Sequence, residues 1–182
     1  YYNSLCHKNQ ITPEDIVVTT GGSEALLFAI AATCNPTDEL LVVEPTYTNY
    51  LGIAHMLNVS IRAHTTHPSE NYHIDPVKLL DSIGPQTKAI CLASPGNPTG
   101  TVLSKSDVET LALGCAERNV FLIMDEVYRE FIYDQTNGPT SPSALDVPGA
   151  ENSVIVIDSV SKRYSACGLR VGALVTKRKD LR

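Results

Sequence analysis

Apolar runs of four to six residues alternate with stretches of helical periodicity along the chain, and polar turns separate the two kinds of segment. Most runs are unbroken rather than alternating, which is typical of parallel strands that are covered on both faces. Seven strands are predicted, at residues 16–19, 39–43, 59–63, 88–93, 120–124, 153–158 and 171–176. Strands that alternate with helices indicate an α/β fold.

Helix signals stand between these strands. Asp75 before Pro76 predicts a helix start, and Gly84 predicts the end of that helix. Ser104 and Asp107 resemble a capping box, and the apolar residues that follow fall on one helical face. We therefore predict a three-layer α/β/α sandwich around a mostly parallel seven-stranded sheet.

Composition narrows the class of protein. The 182 residues fit one domain, and no apolar run approaches the roughly 20 residues that cross a bilayer. The net charge of −6, without a basic stripe, disfavours nucleic acid as a partner. Five cysteines form an odd set without a C-x-x-C motif, and no signal-like segment opens the chain, so we expect a reducing, cytoplasmic setting.

Polar turns, several with glycine or proline, follow five of the predicted strands. Open α/β sheets bind ligands beyond the carboxyl ends of their parallel strands, so these turns predict one shared site. The candidate residues in them are Gly22, Ser23, Tyr47, Asn97, Asp125, Tyr128, Ser159, Ser161 and Lys162.

The turn with Gly21, Gly22 and Ser23 precedes a helix predicted from Glu24 to about Cys34. Glycine lets the backbone approach a ligand, and a helix start offers unpaired N–H groups to an anion. Short glycine motifs are common, so the turn alone leaves both phosphate binding and an ordinary connection open.

The segment around Lys162 is more specific. A lysine or an arginine alone usually extends into water, but here Lys162 follows a strand directly and stands at fixed spacing from Arg170. The segment resembles the lysine signature of class I aminotransferases, enzymes of the aspartate aminotransferase type that use pyridoxal phosphate. Its constrained positions are met by Ser159, Ser161, Lys162, Ser165, Gly168, Arg170 and Gly172.

Other motifs of this family follow in the expected order. The segment from Ser94 to Gly100 resembles its N-P-x-N-P-T-G loop, although Ser94 replaces the first Asn, and Asp125 to Tyr128 resembles its D-E-x-Y segment. The resemblance implies that residues 1–182 are the central part of the large cofactor-binding domain, with an N-terminal segment and a C-terminal small domain outside them. It also implies that the last strand, 171–176, is antiparallel.

The resemblance implies roles for these residues. Lys162 would form a Schiff base with the cofactor aldehyde and then move a proton at the substrate Cα, and Asp125 would keep the pyridine nitrogen protonated. Tyr128 and Asn97 would bond the phenolate oxygen of the ring, and Tyr47 would stack on the ring. The catalytic residues would be Lys162, Asp125 and Tyr128, and the phosphate would bind Gly22, Ser23, Ser159, Ser161 and Arg170.

Plainer interpretations of single residues stay open. An Asp after a strand is often an N-cap, an Asn before a proline is often a turn residue, and a tyrosine in such a place commonly packs in a core or an interface. Arg163 could contact substrate, cofactor or neither. We interpret Cys167 as a small packing residue, and His64 with His67 as a strand end rather than a metal site.

The implied activity is transfer of an amino group from an amino acid, aspartate-like or other, to a 2-oxo acid, by a homodimer. The arginine that binds the substrate carboxylate in this family would lie outside the chain, so the isolated 182 residues are expected to be inactive. A C–S lyase or a decarboxylase on the same fold, or a sensor domain of a transcription regulator, are the alternatives. The resemblance also implies cis bonds at Asn97-Pro98 and Glu44-Pro45.

Overall fold

The computed structural model describes residues 1–6, 8–133 and 140–181, and in this part of the chain seven strands form one sheet. The strands are β1 (Ile16–Thr19), β2 (Glu39–Glu44), β3 (Ser60–Thr65), β4 (Thr87–Ala93), β5 (Phe121–Asp125), β6 (Val154–Ser159) and β7 (Gly172–Val175). Their order across the sheet is β1-β7-β6-β5-β4-β2-β3. Strand β7 is antiparallel to both of its neighbours, and the pairs from β6 to β3 are parallel. The prediction of a mostly parallel sheet with an antiparallel last strand is confirmed.

Six α-helices occur in the described residues, and two of them begin at the predicted caps. They are α1 (Tyr2–Leu5), α2 (Gly21–Thr33), α3 (Thr48–Met56), α4 (Pro76–Asp81), α5 (Lys105–Glu117) and α6 (Val160–Arg163). The Asp75 carboxylate accepts hydrogen bonds from the backbone N–H groups of Val77 and Lys78 at the start of α4. Ser104 and Asp107 form the reciprocal capping box of α5.

Apolar side chains fill both faces of the sheet. Along β4, Ala89 and Cys91 belong to the core beneath α2 and α3, whereas Ile90 and Leu92 belong to the core beneath α4 and α5. Successive strand residues point to opposite faces, so this division shows that helices cover both sides. The three-layer sandwich is confirmed.

Several element boundaries differ from the predicted ones, and most strand ends shift by one or two residues. Helix α2 begins at Gly21 instead of Glu24. Helix α4 ends at Asp81, before Gly84, and the Ser82 hydroxyl donates to the carbonyl oxygen of Lys78 at this end. Strand β3 begins one residue late because the Val59 N–H donates to a carbonyl oxygen of α3 instead of joining the sheet. The strand also lies at the sheet edge and is mostly exposed, unlike the buried runs predicted for most strands.

Among the described residues, no helix has the length and apolar character that crossing a membrane requires. The same residues contain no cluster of three or more side chains suited to a metal ion. His64 lies with its Nδ1 atom 2.9 Å from the Ser82 hydroxyl oxygen.

Candidate active site

A cavity of about 260 Å³ opens where the parallel strands end. It is lined by residues at or just after the carboxyl ends of β1, β2, β4, β5 and β6, which is where an open α/β sheet binds ligands. All ten residues predicted to bind the cofactor line this one cavity: Gly22, Ser23, Tyr47, Asn97, Asp125, Tyr128, Ser159, Ser161, Lys162 and Arg170. The structure thus brings the predicted set together, and the role of each residue stays a prediction.

Asp125 is the last residue of β5 and is only 5% exposed. Burial raises the pKa of its carboxyl group to about 6, although hydrogen bonds from Tyr50 and from the Val127 N–H lower it. Within the described residues no cationic side chain pairs with Asp125. A carboxyl group held in this way suits a ligand that brings a positively charged N–H of its own.

Tyr50 is a site residue that the sequence reasoning missed. Its hydroxyl donates to Asp125 Oδ2 at 2.8 Å, and its side chain is 1% exposed. Burial first, and then the Asp125 charge, raise the pKa of Tyr50 well above its ordinary value, so the phenol stays a donor at neutral pH. The three-residue spacing from Tyr47 was the available signal, because it places both rings at the start of α3, 5.6 Å apart and edge-to-face.

Lys162 and Tyr128 approach the cavity from different elements. Lys162 lies in the short helix α6 directly after β6, and its Nζ atom is 5.7 Å from the centre of the Tyr128 ring. Tyr128 follows β5 by three residues, so Asp125 and Tyr128 line the cavity together. An amine, a phenol and a buried carboxyl group therefore face the same volume.

One end of the cavity suits an anion. The first turn of α2, with Gly22 and Ser23, lies there, and the side chain of its N-cap residue Thr20 makes no capping hydrogen bond. Unpaired N–H groups and the positive end of the 13-residue helix attract negative charge. Arg170 adds a guanidinium, and the Ser159 hydroxyl, which donates to Ser161 Oγ at 2.8 Å, adds polar atoms beside it.

Two glycines allow this end to be compact. Gly21 has a φ of 75°, and a Cβ built there would collide with the Arg170 guanidinium. A Cβ at Gly172 would lie 2.7 Å from the carbonyl oxygen of Gly21 and from the N atom of Gly22. Strand β7 therefore packs against the backbone of the first residues of α2.

The loop with Asn97 has the predicted backbone. Asn97-Pro98 and Glu44-Pro45 are both cis, as the resemblance implied, and Ser94-Pro95 is cis as well. Ser94, which departs from the usual Asn, is buried, and its hydroxyl oxygen accepts a hydrogen bond from the Leu103 N–H at 3.0 Å.

Comparison with known proteins agrees with this geometry. The family model described as aminotransferase class I and II matches residues 1–182. Aspartate aminotransferase of Thermotoga maritima is 31% identical over 173 residues, which are 95% of this chain and 45% of that protein. Kynurenine–oxoglutarate transaminase 1 of Mus musculus is 30% identical over 182 residues, 94% of this chain and 42% of that protein.

Solved structures show the same fold. The structure of Thermus thermophilus aspartate aminotransferase with maleate superposes with a TM-score of 0.90 at 28% identity, covering 99% of this chain and 45% of that chain. The chain thus spans less than half the length of the relatives that it matches.

Proposed function

Because the chain belongs to the class I and II aminotransferase family, we propose that it forms the central part of the cofactor-binding domain of a pyridoxal-phosphate-dependent aminotransferase. The protein would move an amino group from an amino acid to a 2-oxo acid. The observation that carries this proposal is the convergence of Lys162, Asp125 and Arg170 on one cavity.

The residues of the cavity fit the cofactor. Asp125 is buried without a cationic partner in the described residues, which suits a pyridine nitrogen that carries a proton. Gly22, Ser23 and Arg170 form an end suited to a phosphate. When bound, pyridoxal phosphate would supply an aldehyde that accepts the amine and a ring that takes up the electron pair left at the substrate Cα.

The chain's own residues would then do the following. The Lys162 amine would bond the cofactor, and after substrate has displaced it, it would move a proton to and from the substrate Cα. Asp125 would hold a proton on the ring nitrogen, and Tyr50 would orient the Asp125 carboxylate through its 2.8 Å hydrogen bond. Tyr128 and Asn97 would donate to the ring oxygen, and Tyr47 would orient the ring from one side.

Gly22, Ser23, Ser159, Ser161 and Arg170 would bind the phosphate. With the phosphate end of the cofactor fixed, its reacting end would stay next to Lys162. The two reacting groups would then be held close together, which raises the rate of their reaction.

Product analysis of the full-length protein tests the activity. Aspartate, cysteine, kynurenine and an aromatic amino acid are each incubated with enzyme and cofactor, with and without 2-oxoglutarate. Without the acceptor the amino group stays on the cofactor, so we expect more than one equivalent of 2-oxo acid per cofactor, from one or more donors, only when the acceptor is present. Release of sulfide or carbon dioxide without an acceptor would instead identify a lyase or a decarboxylase. Specific binding of an amino acid without any turnover would identify a sensor domain.

The names of the relatives give different amino-group donors, aspartate and kynurenine, so we propose the reaction class and not a single substrate.

We also propose that the full-length protein is a cytoplasmic homodimer. All five cysteines are free thiols, which supports a reducing compartment. Tyr164 and Leu169, in the segment between two cavity residues, are 64% and 70% exposed, which supports their being covered by other protein. Sedimentation of the full-length protein tests the oligomeric state.

A further inference from the structure

Arg163 follows Lys162 directly, but its side chain takes a different course. Lys162 lines the cavity, whereas the Arg163 guanidinium turns back to Asp158 near the end of β6. Adjacent side chains on a helix differ by about 100° in direction, so one residue can reach the cavity while its neighbour points away from it.

The Asp158–Arg163 pair is buried. Arg163 Nη2 lies 3.0 Å from Asp158 Oδ1 and 3.1 Å from Oδ2, and the two side chains are only 7% and 6% exposed. Burial alone would lower the pKa of the Arg163 guanidinium, but Asp158 and the groups around it raise it, so the arginine stays charged.

Further contacts hold both partners. The Tyr2 hydroxyl donates to Asp158 Oδ2 at 2.9 Å, and the Ser159 N–H donates to Asp158 Oδ1 at 2.7 Å. Glu130 lies 2.9 Å from Arg163 Nε, and the Arg163 guanidinium lies over the Tyr1 ring, 4.1 Å from its centre. The pair is thus fixed at several points.

The two ends of the turn that carries Lys162 are therefore anchored differently. At its start, the Ser159 side chain accepts a hydrogen bond from the Ser161 N–H. At its end, Arg163 connects the turn back to the strand from which it emerged. Helix α6 has only four residues, and so short a helix has little stability of its own. The ion pair compensates for this at the position next to the amine.

We propose that Asp158 and Arg163 are positioning residues that set the direction in which Lys162 enters the cavity. This inference rests on the proposed function, because it concerns the amine that would bond the cofactor. Neither residue lines the cavity, so both would act through Lys162.

The test measures the rate at which Lys162 forms a covalent bond with the cofactor, and not the catalytic turnover of the enzyme. Full-length protein, freed of cofactor, is mixed with pyridoxal 5′-phosphate for a fixed short time and reduced with borohydride. Peptide mass spectrometry then gives the fraction of adduct on Lys162. In Arg163→Met we expect the initial rate at Lys162 to fall by roughly 10-fold to 100-fold, because small displacements of a reacting group have effects of that size. Arg163→Lys keeps a charge that can reach Asp158 and is expected to recover part of the rate.

A double variant separates positioning from folding. Arg163→Met alone leaves the Asp158 charge buried and unpaired, which can unfold the protein, whereas Arg163→Met with Asp158→Asn removes both charges. We expect the double variant to fold and still to bond slowly at Lys162. Arg62→Met is the matched control, since Arg62 pairs with Glu39 at the far edge of the sheet, and its rate should equal that of the wild type.

The outcomes are distinguishable. Wild-type protein without adduct on Lys162 would overturn the proposed function and this inference with it. Adduct in the wild type at a rate that the folded double variant matches within about twofold would overturn the positioning role alone and leave the proposed function standing.

Discussion

The Tyr50 hydroxyl and the Asp125 carboxylate share a buried hydrogen bond of 2.8 Å beside the cavity. The bond joins the start of α3 to the end of β5, across 75 positions of the sequence. It favours the ionised form of a carboxyl group whose pKa burial raises to about 6. The charge that Asp125 would present to the ring nitrogen of the proposed cofactor therefore depends on a tyrosine on a neighbouring element.

Tyr50→Phe tests that dependence. Loss of the donor raises the pKa of Asp125 further, so the acidic limb of the pH–rate profile should move to higher pH. We expect kcat at pH 7 to fall about tenfold, since a hydrogen bond to a charged group contributes about 1.5–3 kcal/mol. Measurement of kcat between pH 5 and 9 checks this. Tyr133→Phe, at a ring that is 94% exposed, is the control. Overlapping profiles for Tyr50→Phe and the control would contradict the assignment.

Asp125→Asn should have opposite effects on activity and stability. The folded-state pKa of about 6 exceeds the ordinary value of 3.8, so ionising Asp125 destabilises the cofactor-free fold. The protonated carboxyl group of Asp125 makes its full contribution to stability below pH 3.8, and this contribution is lost as the pH rises through 6. At about 1.4 kcal/mol per pKa unit the loss is about 3 kcal/mol.

The Asp125→Asn substitution removes the titrating carboxyl group. Relative to the wild type, the free energy of unfolding of cofactor-free Asp125→Asn should therefore increase between pH 4 and 7 and then level off. Its kcat should fall by roughly 100-fold or more, since the variant loses a charge that acts in the reaction. Urea titrations at pH 4.5 and 7.5 measure the first effect. If the free energies of unfolding of Asp125→Asn and the wild type differed by the same amount at both pH values, Asp125 would not titrate as described.

Gly172→Ala should disturb the anion end of the cavity through the backbone. Its Cβ would lie 2.7 Å from the Gly21 carbonyl oxygen, and backbone atoms cannot move aside as a flexible side chain can. We expect a loss of about 1–3 kcal/mol in the free energy of unfolding, the usual effect of overpacking, together with weaker cofactor binding. Gly168→Ala is the control, because a Cβ there meets nothing within 4 Å. Fluorescence titration with cofactor and urea unfolding measure both effects, and equal behaviour of the two variants would argue against this packing.

Arg170→Lys tests the phosphate contact. Lysine keeps the positive charge but loses the paired N–H groups of the guanidinium, so affinity for pyridoxal 5′-phosphate should fall about tenfold. Affinity for pyridoxal, which has no phosphate, should not change. Equilibrium dialysis with both compounds makes the comparison. An equal loss for both would mean that Arg170 supports the fold of the segment and does not bind the phosphate.

Local signals in the sequence predicted much of the fold. Strand β1 has the predicted bounds, and the caps at Asp75 and Ser104 are present, because each depends on residues a few positions apart. The start of β3 was wrong by one residue because a hydrogen bond between Val59 and the preceding helix competes with the sheet.

The site residues were predictable to the extent that they belong to motifs. All ten line the cavity, since each lies at the carboxyl end of a strand of the same sheet or in the segment after it. Tyr50 was missed, and the direction of Arg163 was left open. Their partners are Asp125, 75 positions away, and Asp158, on the strand before the turn, and no local pattern gives the orientation of either contact.

The most direct test of the account concerns the amine at Lys162. The full-length protein, loaded with pyridoxal phosphate, is reduced with borohydride, digested and mapped by mass spectrometry, in parallel with Lys162→Ala. The account predicts a single stable adduct on the peptide that contains Lys162 and no covalently attached cofactor in the variant. An adduct on another lysine, or cofactor that is still covalently attached to Lys162→Ala after borohydride reduction, would contradict it.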